Sequence, residues 1–572
     1  MEPLFHIASV LNAKRLYKIS NEFGLSKVIE LQQRDLTSLS SFRLRIESLG
    51  NFLFEGSEFD LMKLKRSLYE KTLSAYEIVQ LGWQKQGFWA WSNGIFNESF
   101  QKTDEYGIVS FNNVNFYLPS SSDIYKSEDN LFVAERKFYF TQGTISLHDY
   151  SKKLIDVFGD NAMFCLCFYF ASLFRDHIAG LFGFFPILNL FGPKGSGKTE
   201  LAIRLLHFFG PQAKGPNIVN TTRPALADHV AMFSNGFCHI DEYSNSLEIE
   251  KIEFLKGLWD GTGRTRMNMD KDRKKETTRV DCGIILSGQH MPTADIALFS
   301  RLAFLSFSQT EFSDPEKLRF NELQEIEALG LCHITHELLH YRKQFISTFT
   351  ENYQAAAEDL NKEIGDVVIE DRIFRNWLVM ITSFRTLKEL LHVPWSYEQL
   401  LQATAKNVIR QNQETKKSNE LSVFWSIFEF LVSDEQLKQD IDFKIELIDS
   451  LKTDKVNVEW KAHKHVLMLN HTRIFQLYLV HGGKSHENII PRKTLEYYLM
   501  NCKEYLGKKH AVGFHVEENR RIVEDVDVPA TSFNGASTRK VRKITDAMCF
   551  DFIPLNLSLA KHTTTESDKM PF

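Results

Sequence analysis

Apolar residues fall into short alternating or continuous runs in some stretches of this chain and into a three-to-four-residue period in others. The changeovers mark the predicted elements. Residues 1 to about 145 are mixed and rich in strand signals: Trp89-Ala90-Trp91 and Leu131 to Phe140 concentrate aromatic and other apolar residues between Ser-Asn-Gly and Ser-Ser-Ser turns. One helix interrupts them, Phe59 to Thr72, where Leu61, Met62, Leu64 and Leu68 recur near the 3.6-residue period with Lys and Arg between. Residues 147–182 turn helical. From Pro186 to about 310 the pattern is strand, loop, helix, repeated, which predicts a parallel sheet covered by helices. Residues 311–435 are helical again, and the remainder mixes short strands and helices before a frayed tail at 563–569.

The chemistry begins where the first of those core strands ends. Ile187 to Phe191 runs straight into Gly192-Pro193-Lys194-Gly195-Ser196-Gly197-Lys198-Thr199, a complete G-x-x-x-x-G-K-[ST], and a helix follows from Glu200 to Phe209 with Gly210-Pro211 as its stop. Glycines let backbone N–H groups turn towards phosphates, and the helix N-terminus adds positive potential. Lys198 is placed to reach the β- and γ-phosphates and Thr199 to ligate Mg²⁺, so ATP and Mg²⁺ are the expected ligands. Forty-three residues beyond Lys198 a second strand, Phe237 to Ile240, ends in Asp241-Glu242. Two carboxylates at a strand tip have two jobs available: Asp241 holds the Mg²⁺ shell and Glu242 orients and polarises the attacking water.

A third strand, Cys282 to Leu286, ends in Ser287-Gly288-Gln289, and a polar side chain there is placed to touch the γ-phosphate or the water, Gln289 being the first choice and Ser287 the second. In Ala297-Leu298-Phe299-Ser300-Arg301-Leu302 a lone arginine sits between two apolar runs. Arg301 reads as an arginine finger completing the site of a neighbouring protomer, with a structural salt bridge as the alternative. Arg372 and Arg375 share one face of a later helix, from which either could reach back to the nucleotide.

Charge adds a further feature. The chain of 572 residues carries a formal net charge of −5, so nucleic-acid binding has to come from local patches. Residues 264–279 hold seven Lys/Arg against three Asp/Glu, and two extended arms flank a charged turn. This predicts a β-hairpin inserted in the core, its Arg264, Arg266, Lys271, Arg273, Lys274 and Lys275 suited to phosphates along a threaded strand, with a solvated face as the plainer reading. The seven cysteines have neither zinc-knuckle nor disulfide-framework spacing, which fits a reducing interior. No signal peptide is visible, and Arg175-Asp176-His177 and Pro186 interrupt the greasiest stretch, Ala162 to Phe191, so a cytoplasmic protein with no membrane partner is expected.

Taken together, Phe191 to Thr199, Ile240 to Tyr243, Trp259 to Arg264, Ile285 to Gln289 and Ala297 to Arg301 resemble the AAA+ replicative-helicase-like ATPases of phages, plasmids and bacterial mobile elements, distantly similar to superfamily III and minichromosome-maintenance helicases. The resemblance covers 186–310 firmly, is looser over Phe54 to Trp91 and weaker at the C-terminus. It implies an α/β P-loop AAA+ core at 186–310 after a mixed α+β domain (1–145) and a helical connector (146–185), then a helical lid and linker (311–435) and a C-terminal α+β domain of winged-helix type (436–572). That last domain combines a helix near Pro491 to Leu499, a strand at Phe514 to Val516, and a basic link, Ser537 to Lys543, leading to Met548 to Phe552. The implied function is an ATP-driven homo-hexameric DNA helicase acting on single-stranded and forked duplex DNA. No zinc-binding primase module is present, so a separate primase is implied. The rival readings are an AAA+ loader or switch that remodels a protein partner, and a P-loop kinase acting on a small molecule.

Overall fold

The computed structural model describes every residue except 9–12, 127–129, 212–213, 268–274, 309–312, 418–419, 486–489, 520–537, 556, 558 and 560–572. The chain divides into two units, Met1–Gln413 and Glu414–Phe572. Short strands fill the beginning of the first: β1 (Glu2–Ala8), β2 (Lys14–Ser20), β3 (Ser26–Gln32), β4 (Leu73–Glu77), β5 (Leu81–Trp83), β6 (Trp89–Trp91), β7 (Gly94–Asn97), β8 (Ser99–Lys102), β9 (Ile108–Phe111) and β10 (Val114–Tyr117). One sheet has the order β3-β2-β1-β4-β10-β9. Helices α1 (Leu39–Glu47) and α2 (Glu58–Lys71) pack on it through Phe42, Ile46, Leu61 and Leu68. The helix expected from Phe59 is α2. Its first turn is closed by a capping box in which Ser57 and Asp60 satisfy each other's backbone N–H groups, worth about 1 kcal/mol.

Residues 131–140, expected as a strand, run as turns around a 3₁₀ stretch at Glu135–Lys137. Phe138 joins Trp89 and Phe209 in a three-ring cluster, its ring centroid 6.1 and 5.4 Å from theirs. The neighbouring backbone is satisfied locally: Ser92 N–H donates to the Phe138 carbonyl, and Phe140 both donates to and accepts from the Asn93 side chain. An aromatic run signals burial, and here an irregular segment meets the same demand because its polar groups find side-chain partners.

Beyond lie α3 (Leu147–Phe158), α4 (Asp160–Ser172), α5 (Arg175–Phe182), β11 (Ile187–Phe191), α6 (Lys198–Leu206), α7 (Arg223–Ala231), β12 (Phe233–Tyr243), α8 (Ile249–Trp259), β13 (Thr262–Met267), β14 (Lys275–Arg279), β15 (Asp281–Gly288), α9 (Ile296–Phe299) and β16 (Leu302–Ser306). The main sheet has the order β16-β11-β15-β12-β5-β6-β7-β8 and is parallel from β16 through β5. Strands from Leu81 to Lys102 therefore extend the core sheet, and the boundary expected at 145 does not divide two folds. β11 is buried along both faces, and its one polar residue, Asn189, donates to the Leu286 carbonyl at 3.2 Å. α4 is buried on every side from Ala162 to Ser172, as an all-apolar helix in a core must be. No single described helix is long and apolar enough to cross a membrane; α4 and α5 are bent by 80° at their junction. All seven cysteines are free thiols.

Helices α10 (Asp314–Ala328), α11 (Cys332–His340), α12 (Arg342–Ile364), α13 (Asp371–Leu387) and α14 (Tyr397–Lys417) follow, as the helical pattern predicts. The second unit contains α15 (Glu420–Ser433), β17 (Phe443–Lys452), β18 (Asn457–Leu469), α16 (His471–Ser485), α17 (Arg492–Asn501), β19 (Tyr505–Asn519) and β20 (Thr538–Asp551), with an antiparallel sheet in the order β17-β18-β20-β19. The basic run expected to be a link forms the first arm of β20, paired in register with β19 from His515↔Arg542 to Asn519↔Thr538. The helix α15 belongs to this unit's core through Leu421, Phe424 and Phe428. The break therefore falls before α15 and not after residue 435.

Candidate nucleotide site

The P-loop connects the C-terminal end of β11 to α6, and its glycines do what the motif requires. Gly195 and Gly197 have φ of +80° and +84°, a region that L side chains rarely adopt, and a Cβ on Gly192 would meet the Phe307 carbonyl oxygen at 2.7 Å. Lys198 is buried in the first turn of α6, where its ammonium donates to the Pro193 carbonyl at 3.0 Å. Burial lowers its pKa, opposed by the negative charges of Glu242 and then Asp241, which places both carboxylates within electrostatic reach of the ammonium. Ser196 is buried as well, and its hydroxyl has no partner. An orphaned hydroxyl and a lysine ammonium at a helix N-terminus fit an anionic phosphate.

The strand β12 delivers the carboxylates. Its pairing with β15 breaks register between Ile240 and Tyr243, and Glu242 sits in that bulge at φ +64°. A left-handed glutamate is a costly conformation, and it turns Glu242 away from the path of Asp241. Asp241 is buried, with Oδ1 3.4 Å from the Thr199 hydroxyl. Cis oxygen ligands of an octahedral Mg²⁺ lie ~3 Å apart, so this hydroxyl and carboxylate fit that ion. Burial works against the Asp241 charge. The Ser287 hydroxyl, the nearby His239, the Glu242 backbone N–H and Lys214 outweigh it and hold the carboxyl below the usual range.

Behind Asp241 stands a relay that sequence reasoning missed. Gly215 N–H donates to His239 Nδ1 at 3.0 Å, His239 Nε2–H donates to Ser287 Oγ at 2.8 Å, and the Ser287 hydroxyl donates to Asp241 Oδ1. Burial pushes the His239 pKa down to about 4, which keeps the ring in the neutral tautomer this chain of donors needs. Ser287 thus occupies the place beside Asp241, while Gln289, the first choice, lies beyond the end of β15 and is exposed. Strand alternation gives Ser287 and Gln289 the same face, so what separates them is where the strand stops: Ser287 lies inside the buried β15, which ends at Gly288, and Gln289 falls after it. His239 reads as one more residue of an apolar strand, and no spacing singles it out.

Beside Gly195 to Gly197 opens a cavity of about 540 Å³ whose apolar wall comes from Phe158, Phe307 and Phe320, with Asn161 and Glu316 as polar groups. Its size and mixed lining suit a purine. A buried cluster ties its helices together: Tyr150 of α3 donates to Glu327 of α10 at 2.7 Å, and Arg204 of α6 lies 3.1 Å from the same carboxylate. Burial pushes the Glu327 pKa up to about 7, against the pull of Arg204 and Tyr150. Native protein then holds a proton on Glu327 that the unfolded chain releases near its ordinary carboxyl pKa, so this group's contribution to stability falls as pH rises through that window. Glu327→Gln is expected to gain on wild type between pH 5 and pH 8 by up to about 3 kcal/mol, read as a pH-dependent difference in melting temperature. The same difference at both pH values would refute it.

Arg301 lies at the opposite end of the sheet. It immediately precedes β16, and its carbonyl accepts from Ile187 N–H at 3.4 Å, level with the start of β11. Five residues of strand, about 16 Å, separate that level from the P-loop. Its guanidinium donates to the Ala297 carbonyl at 2.6 Å and lies 5.5 Å from the Trp259 ring centroid. Arg372 stands over the same ring at 5.9 Å, and Arg375 over Phe184 at 4.6 Å. Neither arginine of α13 therefore faces the P-loop of its own chain. The helix is pinned at this end because Asn376 accepts from the Trp259 indole at 2.8 Å and donates to the Ser300 carbonyl at 2.9 Å. The basic insertion is a two-stranded ladder, β13 against β14, with Arg264 and Arg266 in one arm and Lys275 opening the other. Lys271, Arg273 and Lys274 lie outside the described residues.

No protein-family model matches this chain, and no curated protein matches it. Among solved structures it is similar to "SCCmec type IV Cch - active helicase", with 13% sequence identity and a TM-score of 0.54 over 87% of this chain and 89% of that one. Likeness at that identity shows a common fold. The C-terminal region of NrS-1 overlaps at 10% identity and a TM-score of 0.27, covering 71% of this chain and 92% of that one, a score too low to speak for the fold.

Proposed function

We propose that this chain is an ATP-hydrolysing DNA translocase of the AAA+ type, working as a ring, most simply a homo-hexamer, and serving as a helicase in the replication of a mobile element or prophage. The observation that carries the reading is the separation of Arg301 from its own P-loop by the length of the parallel sheet. A cation at that distance cannot serve its own nucleotide, which supports the reading that it serves a neighbour's. In each site, Lys198 and the P-loop N–H groups hold the β- and γ-phosphates, Glu242 aligns the attacking water and takes its proton, and Ser287 fixes Asp241. Mg²⁺ held by Thr199 and Asp241 would neutralise charge on the phosphoryl oxygens. A small-molecule kinase would have no need of Glu242 as a water-directed base, nor of Arg301.

DNA is assigned to two places. The β13–β14 ladder has Arg264 and Arg266 in one arm and Lys275 in the other, and together with Lys271, Arg273 and Lys274 of the same insertion they would hold successive phosphates of a single strand in a central channel. The second unit runs α15, β17-β18, α16, α17, β19-β20, the order of a winged helix with an added strand, and suits the duplex arm of a fork. A cleft of about 610 Å³ among α16, α17 and the β19–β20 pair is lined by Arg473, Arg492, Lys508 and Lys543, with Glu496 and Asp546 also in its wall.

The test is salt. Replacing Lys271, Lys274 and Lys275 by Ala is expected to flatten the slope of log K against log[salt] for single-stranded DNA by up to about 2, at ~0.7 per phosphate contact, and to lower DNA-stimulated ATPase and strand displacement together. An unchanged slope with unchanged unwinding would make the run a solvated face and put the AAA+ loader reading ahead.

A further inference from the structure

The segment that leads from the P-loop helix towards α7 is locked against the tip of β12. Asp241 N–H donates to the Pro216 carbonyl at 3.0 Å, Ile218 N–H donates to the Asp241 carbonyl at 2.9 Å, and Gly215 N–H donates to His239 at 3.0 Å. The approach at Gly215 is so close that a Cβ would stand 1.7 Å from the His239 carbonyl oxygen. Residue 215 must therefore be glycine, and the residue before it is held in one place relative to the carboxylates. That residue is Lys214. Its ammonium lies 3.6 Å from Asp241 Oδ2, on the side opposite the oxygen that Thr199 and Ser287 share, while its side chain remains 60% exposed.

Charge shows why a second lysine matters here. Asp241 and Glu242 both lie within electrostatic reach of Lys198, and a bound triphosphate adds up to about four negative charges to theirs, more than one ammonium and one divalent ion can balance. The γ-phosphate of a nucleotide whose metal sits on Asp241 is within a few ångströms of that carboxylate. A flexible four-carbon stem anchored beside Asp241 can move its ammonium to that phosphate without any change of backbone.

Resting on the reading of this site as an ATP site, we infer that Lys214 is a second cation of the nucleotide site, one that contacts the γ-phosphate and thereby distinguishes a triphosphate from a diphosphate. The experiment measures binding of AMP-PNP and ADP with Mg²⁺ to the full chain, by displacement of a fluorescent nucleotide. Lys214→Met keeps the stem and removes the charge; it is expected to weaken AMP-PNP roughly tenfold, the worth of a charge-assisted hydrogen bond, and to change ADP less than twofold. Lys214→Arg should restore most of the difference. Equal weakening of both nucleotides would reduce Lys214 to a neutraliser of Asp241 and overturn the inference, as would no change in either. Lys198→Ala serves as the separate check: if it leaves both affinities intact, the site reading fails and the inference with it.

Discussion

Glu242→Gln should stop turnover and leave ATP bound. The amide cannot take the proton of the attacking water, so hydrolysis falls at least ~10²-fold, while Lys198, Thr199 and Asp241 keep their places. Lys198→Ala should act differently, weakening nucleotide binding itself, because its ammonium is buried against the loop at the Pro193 carbonyl. The left-handed backbone at residue 242 costs a glutamine as much as a glutamate and so gives no reason for the variant to misfold. Near wild-type turnover in Glu242→Gln, measured by phosphate release at saturating ATP, would overturn the assignment.

Arg301→Ala should lose ATPase activity by about 10³-fold, the low end of what a trans arginine supplies. Because this side chain also bonds to Ala297 and lies over Trp259, loss alone would not separate a finger from a packing role. Mixing does. Arg301→Ala and Lys198→Ala protomers together should recover part of the activity, since some interfaces then pair an intact P-loop with an intact arginine. Full activity of Arg301→Ala as a dilute monomer would sink the trans reading.

How much of this was legible beforehand follows the distance between the residues concerned. Gly192 to Thr199 is one contiguous turn between a buried strand and a helix, so glycine placement, apolar run and cap signals all fall within a few residues. The pair Asp241-Glu242 is legible for the same reason, as two carboxylates ending an apolar strand. The choice between Ser287 and Gln289 was not, because the two share a strand face and what divides them is where β15 ends and that Ser287 meets His239 and Asp241 of β12, which pairing across the sheet decides. Arg372 and Arg375 share a helix face in either environment; only the Asn376 bonds to Trp259 and Ser300 send that face to the far end of the sheet.

By itself the sequence determines the local elements and their chemistry: a phosphate loop on a buried parallel strand, a carboxylate pair at a strand tip, a basic insertion, and a core of all-apolar helices. These follow from periodicity, glycine conformational freedom and the cost of burying unpaired polar groups, which act between near neighbours along the chain. The tertiary structure alone decided that strands at 81–102 extend the main sheet, that 131–140 enters the core without pairing, and that Lys214, His239 and Ser287 converge on Asp241. Each depends on contacts between segments far apart in sequence, where the gain comes from packing and mutual hydrogen bonding that neither segment carries by itself.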